Sequence, residues 1–374
     1  MIRLRELMAQ LELMAPLSLA ESWDNVGLLL GDPNQSVERV MTCLTLTRDV
    51  VTEAVSQKAD VIIAHHPILF RGAKAIRADK PGENLVWELA RAGIALISHH
   101  TAWDGAAEGA NQYIAQQIGL TEIVPMKPEA PPACVKFTVF VPDENLEAVR
   151  SAAFEAGAGH IGQYDQCSFS QVGTGTFRPL TGANPTIGEV GARESVTEHR
   201  LEIISPKSHV RAVLNAIRSS HCYEEPAIDM YEMVGVNRVS QLGVGRIGEL
   251  PEPVMLSELA KTAADRLQSK AAQMAVAQGL DDSVKVKRVA VACGAGDDLL
   301  DLAMAQKADV IVSGEFRFHT ILKAVEAGVH VILVGHFASE RPSMEAMAEM
   351  LQKKYPDQKI WASQLEPDPL RNLG

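Results

Sequence analysis

The chain is predicted to be an α/β protein: two related α/β halves facing a shared cleft, interrupted by a ferredoxin-like α+β insert. Three observations predict this. The hexapeptide Gln57-Lys58-Ala59-Asp60-Val61-Ile62 recurs as Gln306 to Ile311, each time between a helical pattern and a short apolar run. A histidine followed four residues later by a carboxylate comes after a strand-like run in each half, as His100 and Asp104, then as His336 and Glu340. Between the halves a β-then-α pattern is used twice. At roughly 100–200 residues per domain, 374 residues suit two or three domains. They are placed at 1–125, 133–233 and 240–374.

The elements follow in order. Leu4, Leu7, Leu11 and Met14 put one apolar face on an N-terminal helix. Charged Arg3, Arg5, Glu6 and Glu12 within it argue against a signal peptide. Glu38–Leu46 is a strand run, Asp49–Lys58 a helix and Asp60–Ala64 a strand. Lys287–Cys293, Asp297–Lys307 and Asp309–Val312 repeat that order. Apolar runs without alternation, separated by helices, mark parallel strands buried on both faces. The strand runs 92–98 and 327–334 end at His99-His100 and Gly335-His336. The plain alternative is a helix end and strand start reused by chance; the aligned histidine–carboxylate pairs argue against it.

Pro125 to Pro132 is a linker pattern. In the insert, Phe137–Val141 leads to a helix near 145–156, and Leu201–Ile204 to a helix near 210–218. The stretches from Gly159 to Asp165 and from Gly173 to Pro179 are rich in glycine and suit either phosphate binding through backbone N–H groups or a long hairpin. No Lys-Ser/Thr ending supports a P-loop.

Composition narrows the function. A net charge of −12 and 5% aromatic residues disfavour a grip on nucleic acid. No apolar run approaches the ~20 residues of a membrane span. Five widely spaced cysteines with no CxxC disfavour disulfides and thiolate zinc sites, and point to a reducing, cytoplasmic home.

His65, His66, His99, His100 and His336 all fall at C-terminal strand ends, where open α/β sheets collect ligands. A lone histidine there is usually structural; a cluster with Asp104 and Glu340 favours metal. His65, His66, Asp104, His336 and Glu340 suffice for two divalent ions. Imidazole and carboxylate without thiolate suit zinc, iron, manganese, nickel or cobalt. Two such ions can polarise a substrate oxygen and activate water. His100 and Asn25 are expected to support this set. Asp24 and Asn25 suit a loop at the cleft mouth or ordinary turn chemistry.

Four stretches carry a family resemblance: Glu21-Ser22-Trp23-Asp24-Asn25-Val26-Gly27, Ala64-His65-His66-Pro67, His100-Thr101-x-x-Asp104 and Gly335-His336-x-x-x-Glu340. Together they resemble the NGG-interacting-factor-three-like family, whose members are often labelled GTP cyclohydrolase 1 type 2 homologues. The resemblance spans the whole chain. It implies a dinuclear site on the same five ligands, a PII-like insert acting as lid, assembly element or ligand sensor, and a ring-shaped homo-oligomer, commonly a hexamer.

Glu315-Phe316-Arg317-Phe318-His319 stands where the family pattern has Asp-x-x-Tyr-His, so a tyrosine hydroxyl is missing at Phe318. Glu315 and His319 are candidate acid/base residues; the alternative places Glu315 at a helix start, favouring the dipole. Trp103 is expected on the cleft wall. The functions this leaves are a metal-dependent hydrolase of a nucleotide-like or heterocyclic small molecule, a metal-trafficking or ligand-sensing assembly without catalysis, and a phosphoesterase.

Overall fold

The computed structural model describes residues 2–71, 73–130, 133–162, 164–234 and 240–371. Pro131 and Pro132 of the linker pattern, Gln163 of the glycine-rich stretch and residues 372–374 of the second half lie outside them. The chain divides into two compact units, Met1–Glu129 with Val239–Gly374, and Ala130–Arg238. Among the described residues, no helix is long and apolar enough to cross a membrane.

The first unit holds two sheets. One runs in the order Lys359–Ala362, Arg39–Cys43, Val61–Ala64, Ala95–Ser98, Gly27–Leu30, with only the last strand antiparallel to its neighbour. The other runs Gln273–Ala275, His330–Leu333, Val310–Glu315, Lys285–Ala295, Arg246–Met255, Thr121–Val124, with a parallel centre. The halves exchange edges. Thr121–Val124, from the first half of the sequence, pairs in the second sheet. Lys359–Ala362, from the end of the chain, pairs in the first. Their apolar patterns say "strand" but not which sheet receives them.

The repeated hexapeptide has the same structure both times. Helix Arg48–Ser56 ends with Lys58 at φ 52°, and the turn after helix Leu300–Ala305 has Lys307 at φ 57°. Ala59 N–H donates to Ala54 O (2.8 Å) and Ala308 N–H to Ala303 O (3.0 Å), closing a Schellman cap in each copy. Asp60 then accepts from the backbone N–H groups of Glu38 and Arg39 at 2.8 and 2.9 Å. Asp309 does the same for Lys287 and Arg288 at 2.8 and 2.9 Å. The hexapeptide is therefore a clip that ends a helix, turns through the left-handed region and anchors the next strand in register. Lysine pays a steric cost there that glycine avoids. Lys58→Gly and Lys307→Gly are each expected to raise stability by about 0.5–1 kcal/mol, read as an upward shift in the denaturation midpoint.

A second fastening joins the chain end to the first sheet. The buried Glu53 carboxylate accepts from Ser363 Oγ (2.7 Å), Trp361 Nε1 (3.1 Å) and the backbone N–H groups of Gln364 (2.9 Å) and Leu365 (3.0 Å). Burial opposes its ionisation, but these donors outweigh it and hold its pKa below the ordinary value. A folded pKa below the unfolded one stabilises above the unfolded value and fades as pH falls through the folded value. Glu53→Gln is expected to cost about 2 kcal/mol at pH 7. The gap to wild type should narrow below pH ~4.3, as measured by urea denaturation across pH.

Lys127–Pro128 pairs with Gly243–Val244 in a short ribbon, so this part of the expected linker is structured. The second unit runs strand Cys134–Pro142, helix Leu146–Glu155, strands Ser168–Phe177 and Glu194–Pro206, helix Val210–Ser220, strand Ile228–Met233. Its antiparallel sheet has the order 168–177, 194–206, 134–142, 228–233. That is the ferredoxin-like βαββαβ arrangement. Phe137, Val139, Leu201, Val213 and Ile217 form its core. Of the two glycine-rich stretches, Gly173 to Phe177 is strand, in a hairpin with Glu194–Pro206.

Candidate metal centre

His65 and His66 follow strand Val61–Ala64. Their N–H groups continue the ladder to Cys43 O (3.0 Å) and Leu44 O (2.8 Å). Neighbours on an extended strand normally face apart, yet here the two rings lie 5.1 Å apart, tilted by 54°. The other contributors sit at helix starts after parallel strands. Helix His100–Gly105 carries His100 and Asp104; helix His336–Lys354 carries His336 and Glu340. The four-residue spacing places each pair on one helix face.

Glu340 is at the centre. Its Oε2 lies 3.1 Å from both His66 Nε2 and His336 Nε2, and its Oε1 3.8 Å from His65 Nε2. Asp104 Oδ1 is 3.6 Å from His65 Nε2. Two sets of donor atoms, each within 4.8 Å of one another, share His66: one with His65 and His100, the other with His336 and Glu340. The structure thus gathers His65, His66, Asp104, His336 and Glu340, and puts His100 among them instead of behind them. The His100 backbone takes φ 23°, a costly conformation at the point where its ring meets His65 and His66.

Outer contacts fix these rings. His100 Nδ1 lies 2.9 Å from each Asp24 oxygen, and Asp24 also accepts from Thr101 Oγ1 at 2.5 Å. Thr45 Oγ1 meets His66 Nδ1 at 2.7 Å, and Glu315 Oε1 meets His336 Nδ1 at 3.1 Å. Partners of this kind set the tautomer of a metal-binding imidazole. Asn25 does not touch the cluster. Its amide donates to Leu69 O (2.6 Å) and its N–H to Asp24 Oδ1 (2.8 Å), so Asp24 and Asn25 serve both the loop and the turn.

Glu315 ends strand Val310–Glu315, and the next helix begins at Phe318, so its carboxylate bonds a histidine instead of capping a helix. His319 is exposed, with its ring edge-on to Phe318, outside the gathered set. Trp103 is fully buried in the core and donates from Nε1 to Ser343 Oγ (3.1 Å). It ties the two ligand-bearing helices together and forms no cleft wall.

The electrostatics are those of a cation site. Burial lowers the His65 pKa to about 3, leaving a neutral ring whose two nitrogens are buried without hydrogen-bond partners. Burial, then Glu340, raises the Asp104 pKa to about 8. At Glu340 burial opposes ionisation, but the bonds to His336 and His66 overcome it and hold the carboxyl well down. Its bond to Glu340 raises the His336 pKa to about 9. Orphaned imidazole nitrogens beside a buried and a partly buried carboxylate fit divalent metal, whose charge would reverse the penalty on Asp104.

Three supporting residues gave no sequence signal strong enough to single them out. Cys293 Sγ donates to Asp104 Oδ1 at 3.1 Å. Thr45 lies just past strand Arg39–Cys43. Gly294, at φ 58°, has Glu340 so close that a Cβ there would lie 2.2 Å from its Oε1. A polar residue at the end of each strand is the signal that would have flagged Thr45 and Cys293.

A sequence profile of the family described as Duf34/NIF3 (NGG1p interacting factor 3) matches residues 2–369. The chain belongs to the DUF34/NIF3 family. Among its DUF34/NIF3 relatives, the Bacillus subtilis (strain 168) protein named "GTP cyclohydrolase 1 type 2 homolog" is 38% identical over 366 residues, 97% of this chain and 96% of that protein. One of the same name from Mycobacterium tuberculosis is 40% identical over 360 residues, 95% and 92% of the two chains. The solved structure of a Bacillus cereus protein related to NIF3 superposes with a TM-score of 0.82 at 34% identity, covering 100% of this chain and 99% of that one.

Proposed function

We propose that this DUF34/NIF3 protein is a dinuclear metal-dependent hydrolase of a nucleotide-like or heterocyclic small molecule. The observation that carries this is the Glu340 carboxylate at the meeting of two overlapping donor sets, one oxygen 3.1 Å from the His66 and His336 rings and the other 3.8 Å from His65. His65, His100 and Asp104 would hold one ion, His66 and His336 the other, and the Glu340 carboxylate could serve both. When bound, such ions supply Lewis-acid polarisation of a substrate oxygen and lower the pKa of water.

The chain's own residues supply the rest. Glu315 is more than half exposed and already bonded to His336, so it stands where it can take a proton from an attacking water and return it to a leaving nitrogen. Trp23 and Phe70, both exposed, lie 5.6 Å apart, and Trp23 meets the His100 ring edge-on at 6.0 Å. They offer exposed aromatic surface beside the cluster, which supports a heterocyclic substrate. The relatives' printed name makes GTP the first compound to try.

The test is a turnover screen of GTP, related nucleotides and other nitrogen heterocycles, using protein of verified metal content. The reading expects ring hydrolysis of at least one compound, lost in Glu315→Gln at unchanged metal content. No turnover of any compound by metal-loaded protein would overturn it. Phosphate release without ring opening would replace it with the phosphoesterase reading.

A further inference from the structure

The second unit contains a cavity of about 580 Å³, within the range of small-molecule sites. It lies on the sheet face opposite the helices. Gln171, Gly173, Gly175 and Phe177 of one strand line it with Glu198 and Arg200 of the next and Phe140 of a third. The loop around Pro179–Ile187 and the segment Tyr223–Ala227 wall it in. These walls are tied together: Thr186 Oγ1 donates to Cys222 O (2.7 Å) and Asn184 N–H to Glu224 Oε1 (2.9 Å).

Glycines open this space. A Cβ at Gly175 would lie 2.0 Å from Glu198 Oε2, so the missing side chain makes room for that carboxylate. A Cβ at Gly173 would meet nothing within 4 Å. Glu198 is only 7% exposed, and among the described residues no lysine, arginine or histidine forms an ion pair with it. Beside it the buried Tyr223 hydroxyl lies within reach of the Glu198 carboxylate, as a single neutral donor. The Tyr223 ring is fixed 5.0 Å from His221 and 5.9 Å from Phe177. Arg178 is exposed at the rim, and Arg200 is shared there with Glu202.

A buried carboxylate with no cation is costly unless donors reach it. A cyclic amidine edge, with two adjacent N–H groups, matches a carboxylate's two oxygens. Phe177, Tyr223 and Phe140 present aromatic surface for a flat ring, and the rim arginines suit an anionic substituent. We propose that this cavity binds a planar nitrogen heterocycle bearing adjacent N–H donors and an anionic tail, with Glu198 reading the donor edge. The proposed site shares no residue with the metal centre and stands whether or not that centre is hydrolytic.

The test is calorimetric titration of the full chain with guanosine 5′-monophosphate, which has that edge. Inosine 5′-monophosphate lacks one donor and adenosine 5′-monophosphate lacks the edge. Saturable guanosine monophosphate binding is expected, about tenfold weaker with each donor removed. Glu198→Gln and Gly173→Leu, the latter filling the cavity where the backbone leaves room, should each weaken it at least ~tenfold. Circular dichroism melting checks that both variants fold. His336→Ala should leave binding unchanged. No binding by wild type overturns the proposal. So does binding that survives both insert variants or is lost in His336→Ala. So does a change of oligomeric mass in Gly173→Leu, which would mean that a second copy of the chain fills the cavity.

Discussion

Glu340→Ala is expected to empty both halves of the metal centre, whereas His336→Ala should empty one. Elemental analysis of protein purified without added metal or chelator should give about two ions per wild-type chain. His336→Ala should retain about one, and Glu340→Ala close to none. The difference follows from geometry: Glu340 has one oxygen 3.1 Å from His66 and His336 and the other 3.8 Å from His65, so its carboxylate can serve both ions, whereas His336 can serve one. Thr45→Val grades the effect. It removes the partner of His66 Nδ1 while leaving every donor atom in place, and should weaken metal binding by about 10–100-fold. Equal losses in the Glu340 and His336 variants would show that Glu340 is not shared.

Arg246→Met is expected to be the most destabilising single change, at about 3–5 kcal/mol by urea denaturation. Arg246 is fully buried, and burial lowers its pKa to about 10. Its guanidinium donates to the carbonyls of Gly243 (2.8 Å), Gly245 (2.7 Å), Gln241 (3.1 Å) and Ala106, and to Gln112 Oε1 (2.9 Å). Methionine fills the volume but leaves these acceptors without a donor where water cannot reach. Lysine should not rescue, because three donors on one nitrogen cannot span five acceptors. Ala106 directly follows helix His100–Gly105, so metal affinity should fall with stability. A loss below about 1 kcal/mol would mean that the carbonyls find other donors.

The α/β character and the ferredoxin-like order were legible in the sequence because both are written as local periodicity. The repeated hexapeptide was legible as a duplication, and its reason lies in two backbone N–H groups held by Asp60 and by Asp309. The meeting of His66, His336 and Glu340 was legible because the two histidines follow strand ends and Glu340 lies one helical turn beyond His336. The exchange of Thr121–Val124 and Lys359–Ala362 between sheets was not, since a four-residue strand carries no address. Trp103 was misplaced because its neighbour Asp104 faces the cluster, and one residue along a helix turns a side chain by about 100°. Thr45 and Cys293 carried only the faint signal of a polar residue near a strand end, and Gly294 acts through Glu340, distant in sequence, so only the folded chain reveals it. His319, adjacent in sequence to chemistry-bearing residues, turned out to face solvent.

The most direct measurement is an anomalous-difference map from crystals of metal-loaded protein, collected at the edge of the metal. Two peaks about 3.5–4 Å apart, flanking the Glu340 carboxylate with His66 and His336 on one side and His65 and His100 on the other, are the predicted result. A single peak away from Glu340, or peaks too far apart for one carboxylate to serve both, would contradict a shared dinuclear centre.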